Sequence, residues 1–111
     1  MINQVIILGK LVQDPILEKT KNGRKVCNIT LAVPRSYKND KGIYETDFIP
    51  CTLLNTIAEK VTEYCNKGDS ISVKGRLQKL SSYNKLQLIV EKVTFVANHK
   101  KEEKWEQELE Q

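Results

Sequence analysis

The sequence predicts an all-β domain, a five-stranded barrel with one helix between its third and fourth strands. Five segments rich in Val, Ile, Leu and Thr are separated by Gly, Pro and Asn. Only one segment carries apolar residues at helical spacing, and it follows the third of them. The chain of 111 residues is 40% hydrophobic, enough for one domain with a modest core.

Val5-Ile6-Ile7-Leu8, closed by Gly9 and followed by Leu11-Val12, gives a first strand over 3–12, broken at Asp14-Pro15. Asn22-Gly23 predicts a hairpin turn in which both central residues take positive φ. Residues 25–33 alternate apolar and polar and form a second strand, stopped at Pro34. Residues 37–46 are polar with a central turn, and a third strand spans 47–54. Pro50 inside it cannot donate to a ladder, which implies an edge position, a bulge or an interruption. Asn55 suits an N-cap. Ile57, Ala58, Val61, Tyr64 and Cys65 then line one face of a helix over about 56–66, stopped by Lys67-Gly68. That face places Tyr64 in the core. Ile71, Val73 and Leu77 alternate with Ser72, Lys74 and Arg76 in a fourth strand, with Gly75 marking a bulge or bend. After a turn at 81–85, residues 86–96 form the fifth strand, with Phe95 in the core. One helix between the third and fourth of five strands is the arrangement of an OB-fold, a Greek-key barrel. The domain occupies 1–98; a short charged tail, 99–111, follows.

Charge and cysteine usage narrow the function. Residues 1–98 carry 15 Lys+Arg against 9 Asp+Glu, a surplus of +6, while 99–111 carry 3 Lys and 5 Glu. A basic body suits a polyanion. Cys27, Cys51 and Cys65 lack metal spacing and read as buried, reduced thiols. With no membrane span and no signal-peptide pattern at Met1–Leu8, the expected location is the cytoplasm. The single histidine, His99, has no zinc partners, and no nucleophile elbow or phosphate-binding loop is present. Asp14, Asp40, Asp47 and Asp69 fall at turns or strand edges, where solvation and turn bonding account for them. The expectation is a protein that is not an enzyme and has no metal or cofactor.

Single-strand binders need a cationic track and exposed flat side chains for bases. Arg35, Tyr37, Lys38 and Lys41 cluster between the second and third strands, and Phe48 lies on the third. Lys74, Arg76, Lys79, Tyr83 and Lys85 lie along the fourth strand and its hairpin. Lys74 and Arg76 share one strand face. The competing reading is a set of ordinary solvated strand faces. Tyr44 fits either a buried or an exposed role, and Trp105 fits a cap, an oligomer contact or a tail residue.

In order and spacing, Val5-Ile6-Ile7-Leu8-Gly9-Lys10-Leu11, Asp14-Pro15, Asn22-Gly23, Val26-Cys27-Asn28-Ile29-Thr30-Leu31-Ala32, Asp47-Phe48-Ile49, Ala58-Glu59-Lys60-Val61 and Val73-Lys74-Gly75-Arg76-Leu77 resemble the bacterial-type single-stranded DNA-binding proteins. The resemblance covers about residues 2–97. It implies a homotetramer, with a dimer as the alternative, in which first strands pair between subunits and single-stranded DNA wraps the outer surface. It implies stacking on Tyr37, Phe48 and Tyr83. It also implies phosphate contacts from Lys10, Arg35, Arg76 and Lys79, to which the basic segments add Lys38, Lys74 and Lys85. The implied role is sequence-independent binding and protection of single strands in replication, recombination or repair. Where the family often has an aromatic, this chain has Leu54, and the hairpin at 81–85 is short. The family's acidic tip, which recruits replication and repair proteins, has no counterpart in Glu106–Gln111. A paralogue, a mobile-element or phage version, or a shortened form fits that ending. The alternative function is a diverged barrel that serves as a protein-interaction module with weak single-stranded DNA or RNA binding.

Overall fold

In the computed structural model, residues 1–82 and 84–97 are described. They form β1 (Val5–Leu11), β2 (Glu18–Lys19), β3 (Lys25–Lys38), β4 (Tyr44–Leu54), α1 (Asn55–Tyr64), β5 (Ser70–Lys79) and β6 (Leu86–Ala97). Five long strands and the helix match the elements expected from sequence. The addition is β2, a two-residue strand that extends the hairpin by pairing Glu18 with Val26 and Lys19 with Lys25. Tyr83, His99, Trp105, the tail 99–111 and the domain limit at residue 98 lie outside the described residues.

The barrel closes because β1 serves two ladders. It runs antiparallel to β5 from Val5↔Gly75 to Lys10↔Ser70, and meets β3 through Lys10↔Ala32 and Leu11↔Leu31. Around the barrel the order is β1-β5-β6-β4-β3 and back to β1. The β4–β6 seam is one parallel pair, Thr52↔Ile89. Side chains reinforce it: Gln87 Nε2 donates to Thr52 Oγ1 at 2.9 Å, and that hydroxyl donates to Asn28 Oδ1 at 3.2 Å. A closed five-stranded barrel with one helix between β4 and β5 is the OB-fold architecture.

Leu11, Leu31, Leu53, Val61, Ile71 and Val73 fill the core, with Cys27, Cys51 and Cys65 buried among them as free thiols. Burial raises the pKa of Cys27 and pushes that of Cys51 up to about 11. The helix buries Ala58 and Val61. Tyr64, expected in the core, is instead 49% exposed, its ring edge-on to Phe95 at 6.3 Å between centroids. It ends the helix, and the next residue, Cys65, takes the buried place on that side. Phe95 is partly buried against the core.

Local chemistry departs from expectation at four points. Gly23 takes φ 79°, but Asn22 is not in the left-handed region. The turn is closed by Gly23 N–H to Thr20 O and Thr20 N–H to Arg24 O, a longer hairpin loop that needs one left-handed residue. Asn39, Gly42 and Ile43 repeat this pattern between β3 and β4. Asn55 makes no capping bond; it occupies φ 56° at the strand–helix junction, a conformation asparagine tolerates. β3 continues through Pro34 to Lys38 because Pro34 pairs with Thr46 where β3 has no other neighbour. Pro50 likewise pairs only with Thr30, an edge position. The bulge expected at Gly75 lies on its partner: Lys74 pairs with Lys92 and Gly75 with Val90, leaving Glu91 as the extra residue. Gly75 is required opposite it, since a Cβ there would stand 2.0 Å from Ile89 O.

Candidate nucleic-acid interface

Strand alternation sorts the long β3–β4 ribbon into two faces. On β4, Ile49, Cys51 and Leu53 turn toward the core, while Phe48 and Pro50 are exposed. On β3, Ile29, Leu31 and Val33 turn inward. Past the barrel's end the inward series continues as Asp47 and Glu45 on β4 and Arg35 on β3, and polar chemistry replaces apolar packing. Arg35 Nε lies 3.1 Å from Asp47 Oδ2, Nη2 lies 2.9 Å from Asp47 Oδ1, and Nη1 lies 2.6 Å from Glu45 Oε2. The bond from Arg35 holds the Asp47 carboxyl below its ordinary range, and the same bond raises the pKa of the guanidinium. Glu45 also accepts from Asn39 Nδ2 at 3.1 Å. The ribbon's tip is thereby tied to its stem.

The outer face is different in character. Phe48 is 65% exposed and pairs with Ala32, which pairs with Lys10 on β1. An aromatic ring and an ammonium therefore stand on one row, two strand spacings or about 10 Å apart. A groove of about 430 Å³ opens on this face, with Lys10, Ala32, Pro34 and Thr46 among its lining residues. Tyr37, 64% exposed, lies in the irregular stretch between Pro34 and Lys38. Lys38 pairs with Tyr44, its Nζ 5.6 Å from the ring centroid.

The second basic segment occupies another sector of the barrel. Lys74 is exposed and lies directly opposite Lys92 across β5–β6. Arg76, two residues on, donates to Gln78 Oε1. Lys79 pairs with Leu86, and Lys85 sits at the hairpin end, its carbonyl accepting from Leu80 N–H at 3.1 Å. Lys92 escaped the sequence reading because unbroken alternation sets it on the side of the buried Leu88 and Val90; the bulge at Glu91 turns it outward. Like charges directly opposite repel, so the Lys74–Lys92 pair is a natural seat for an anion.

The structure thus brings Lys10 and Phe48 together and places Lys38 further along the same ribbon. Lys74 and Arg76 share a strand with Lys79, with Lys85 beyond it. Arg35 is set apart: it lies on the reverse face from Phe48 and donates to two carboxylates. Of the four aspartates, Asp69 accepts from Asn66 N–H at 2.7 Å, the turn bonding expected, whereas Asp14 accepts from Lys67 N–H at 2.7 Å across 53 residues of chain and Asp47 is ion-paired. Among the described residues no helix is long and apolar enough to cross a membrane, and no three His, Cys, Asp or Glu side chains gather as a metal site needs.

Comparison with known proteins agrees with this architecture. The model of the single-strand binding protein family matches residues 2–107. Single-stranded DNA-binding protein B of Bacillus subtilis is 45% identical over 84 residues, 76% of this chain and 74% of that protein. The single-stranded DNA-binding protein of Halalkalibacterium halodurans is 44% identical over 84 residues, 76% of this chain and 50% of that protein. Single-stranded DNA-binding protein 2 of Staphylococcus aureus is 42% identical over 85 residues, 77% of this chain and 61% of that protein. The matched region thus spans from half to three quarters of these relatives' own length.

Proposed function

The chain belongs to the single-strand binding protein family, and from that premise we propose that it coats single-stranded DNA without reading sequence and without catalysis. The observation that carries this reading is the Phe48–Ala32–Lys10 row. A ring is offered to a base and a cation to its phosphate on one face of a closed barrel. Every base has a π-face, so stacking is sequence-tolerant. Tyr37 is assigned as a second platform, and Lys38, Lys74, Arg76, Lys79 and Lys85 as phosphate contacts. Tyr83 keeps its assignment on the family resemblance alone. Arg35 is assigned to holding the ribbon, because a phosphate would have to displace Asp47 and Glu45.

Replication, recombination and repair expose single strands and are the proposed setting, in the cytoplasm at the nucleoid. Self-assembly is assigned to the outer face of β1, where Ile6 and Leu8 are exposed on a strand with a free edge beyond its pairing to β5. The expected state is a tetramer, read by light scattering.

Anisotropy titration of labelled dT oligomers, with a duplex control at two salt concentrations, tests the reading. Binding should favour the single strand and fall with salt, with a log–log slope of about −0.7 per phosphate contact. Phe48→Ala and Tyr37→Ala should each cost about 1–3 kcal/mol. Equal affinity for duplex, or no loss in either variant, would sink it. Negligible affinity at both salts would move the function to a protein-interaction module.

A further inference from the structure

Tyr44 has no place in the site described above, yet it is 56% exposed at the start of β4. Tyr44, Thr46, Phe48 and Pro50 alternate onto one face, while Glu45, Asp47, Ile49 and Cys51 supply the ion pairs and the core on the other. On β4 only Thr46 shares their face between the two rings; opposite it on β3 stands Pro34, followed by the irregular stretch Arg35, Ser36 and Tyr37.

We propose that Tyr44, with Lys38 as its cationic partner, is a further base-stacking platform, seating a nucleotide of the same strand that stacks on Phe48. The proposal rests on the single-strand reading and extends its path along the ribbon. Four residues of strand separate the rings, about 13 Å at ~3.3 Å per residue. That distance corresponds to about four nucleotides at the ~3.4 Å rise of a stacked strand. Lys38 is in register with Tyr44, and its ammonium lies 5.6 Å from the ring centroid. The ring's quadrupole favours a cation there. A nucleotide stacking on Tyr44 brings its phosphate within reach of that ammonium.

The tip that presents the pair is already ordered. Asn39 Oδ1 accepts from Lys41 N–H at 2.9 Å and Ile43 N–H at 3.0 Å, and Glu45 links Asn39 to Arg35. Little ordering cost remains to be met on binding. A ring kept exposed on a braced hairpin, on the same face as another exposed ring, contributes little to the fold and is well placed for a ligand. An aromatic here also extends the stacking surface of a chain that carries Leu54 where its family often has a ring.

The test compares the wild type with Tyr44→Ala, Tyr44→Phe and Phe48→Ala on labelled dT oligomers of increasing length. On oligomers long enough to span both rings, Tyr44→Ala should bind about 5- to 150-fold more weakly, the range expected for one lost stack. Tyr44→Phe should stay within about twofold of wild type, since the stacking face survives. On oligomers too short to reach both rings the loss should shrink. Wild-type affinity of Tyr44→Ala at every length, with Phe48→Ala impaired, would overturn the platform and leave the single-strand reading standing. No loss in either variant would overturn both. Unchanged thermal midpoints would exclude unfolding as the cause of a loss.

Discussion

Arg35 of β3 holds Asp47 of β4 in a forked contact, with Nε and Nη2 both directed at the carboxylate, 3.1 Å from Oδ2 and 2.9 Å from Oδ1. The pair occupies the same side of the ribbon as Val33 and Ile49, one step beyond the last apolar layer. It converts the open end of the core into a charged clamp. Bidentate geometry of this kind is the form of surface ion pair that contributes measurably to stability.

The clamp should give stability a signature in acid. Asp47 starts from 3.8 and is lowered in the folded protein by the bond from Arg35. A lowered folded value means the contribution is fully present above the unfolded pKa and is lost as pH falls through the folded one. Urea midpoints of wild type and Arg35→Met should therefore differ at about pH 6 and converge below about pH 4. Both partners are only half-buried, so the difference should be small and weaker in high salt. A gap independent of pH would mean that Arg35 acts through its alkyl stem.

Gly75→Ala should destabilise the fold by about 1–3 kcal/mol, the usual cost of forcing extra atoms into a packed site. The added carbon would meet the backbone oxygen of Ile89 at 2.0 Å, and no rotamer can clear it. Urea denaturation measures the loss. Wild-type stability would show that the bulge at Glu91 can open to admit a methyl group.

Cys27, Cys51 and Cys65 should be unreactive toward a thiol reagent in the native protein and all react in denaturant. Each is buried, and the Cys51 thiol is pushed up to about 11, so at neutral pH almost no thiolate forms there. Absorbance on reaction with an aromatic disulfide counts them. Fast labelling of any of the three under native conditions would mean that the barrel opens locally.

The strands and helix were legible because each buried segment announces its period. Val26–Val33 alternates, and Ala58, Val61 and Cys65 keep helical spacing. What escaped depended on pairing rather than on composition. Pro34 reads as a stop, but it is harmless where β3 has a single neighbour. Asn55 looks like a cap, yet it bends the chain from β4 into α1. The family resemblance implies Arg35 as a phosphate contact, and in sequence it stands among cations. Only the register with Asp47 and Glu45 reveals that it turns away from Phe48. Phe48 and Lys10 were each named from sequence. That they share a row follows from β1 meeting β3 at Ala32, a contact between segments 22 residues apart.

β1 also sets when this chain can fold. Val5 pairs with Gly75 and Lys10 with Ser70, so most of the first strand's hydrogen bonds join residues 60 to 70 positions apart. Such distant partners carry a large loop-closure cost and slow the search. On a ribosome, the N-terminal strand emerges first and must wait for β5 before its ladder can form. Until then its apolar residues stay uncovered, and the β3–β4 ribbon, whose partners are near in sequence, has time to assemble ahead of it. The site-bearing hairpin is thus the part of the molecule best placed to form early, and the closure of the barrel its final event.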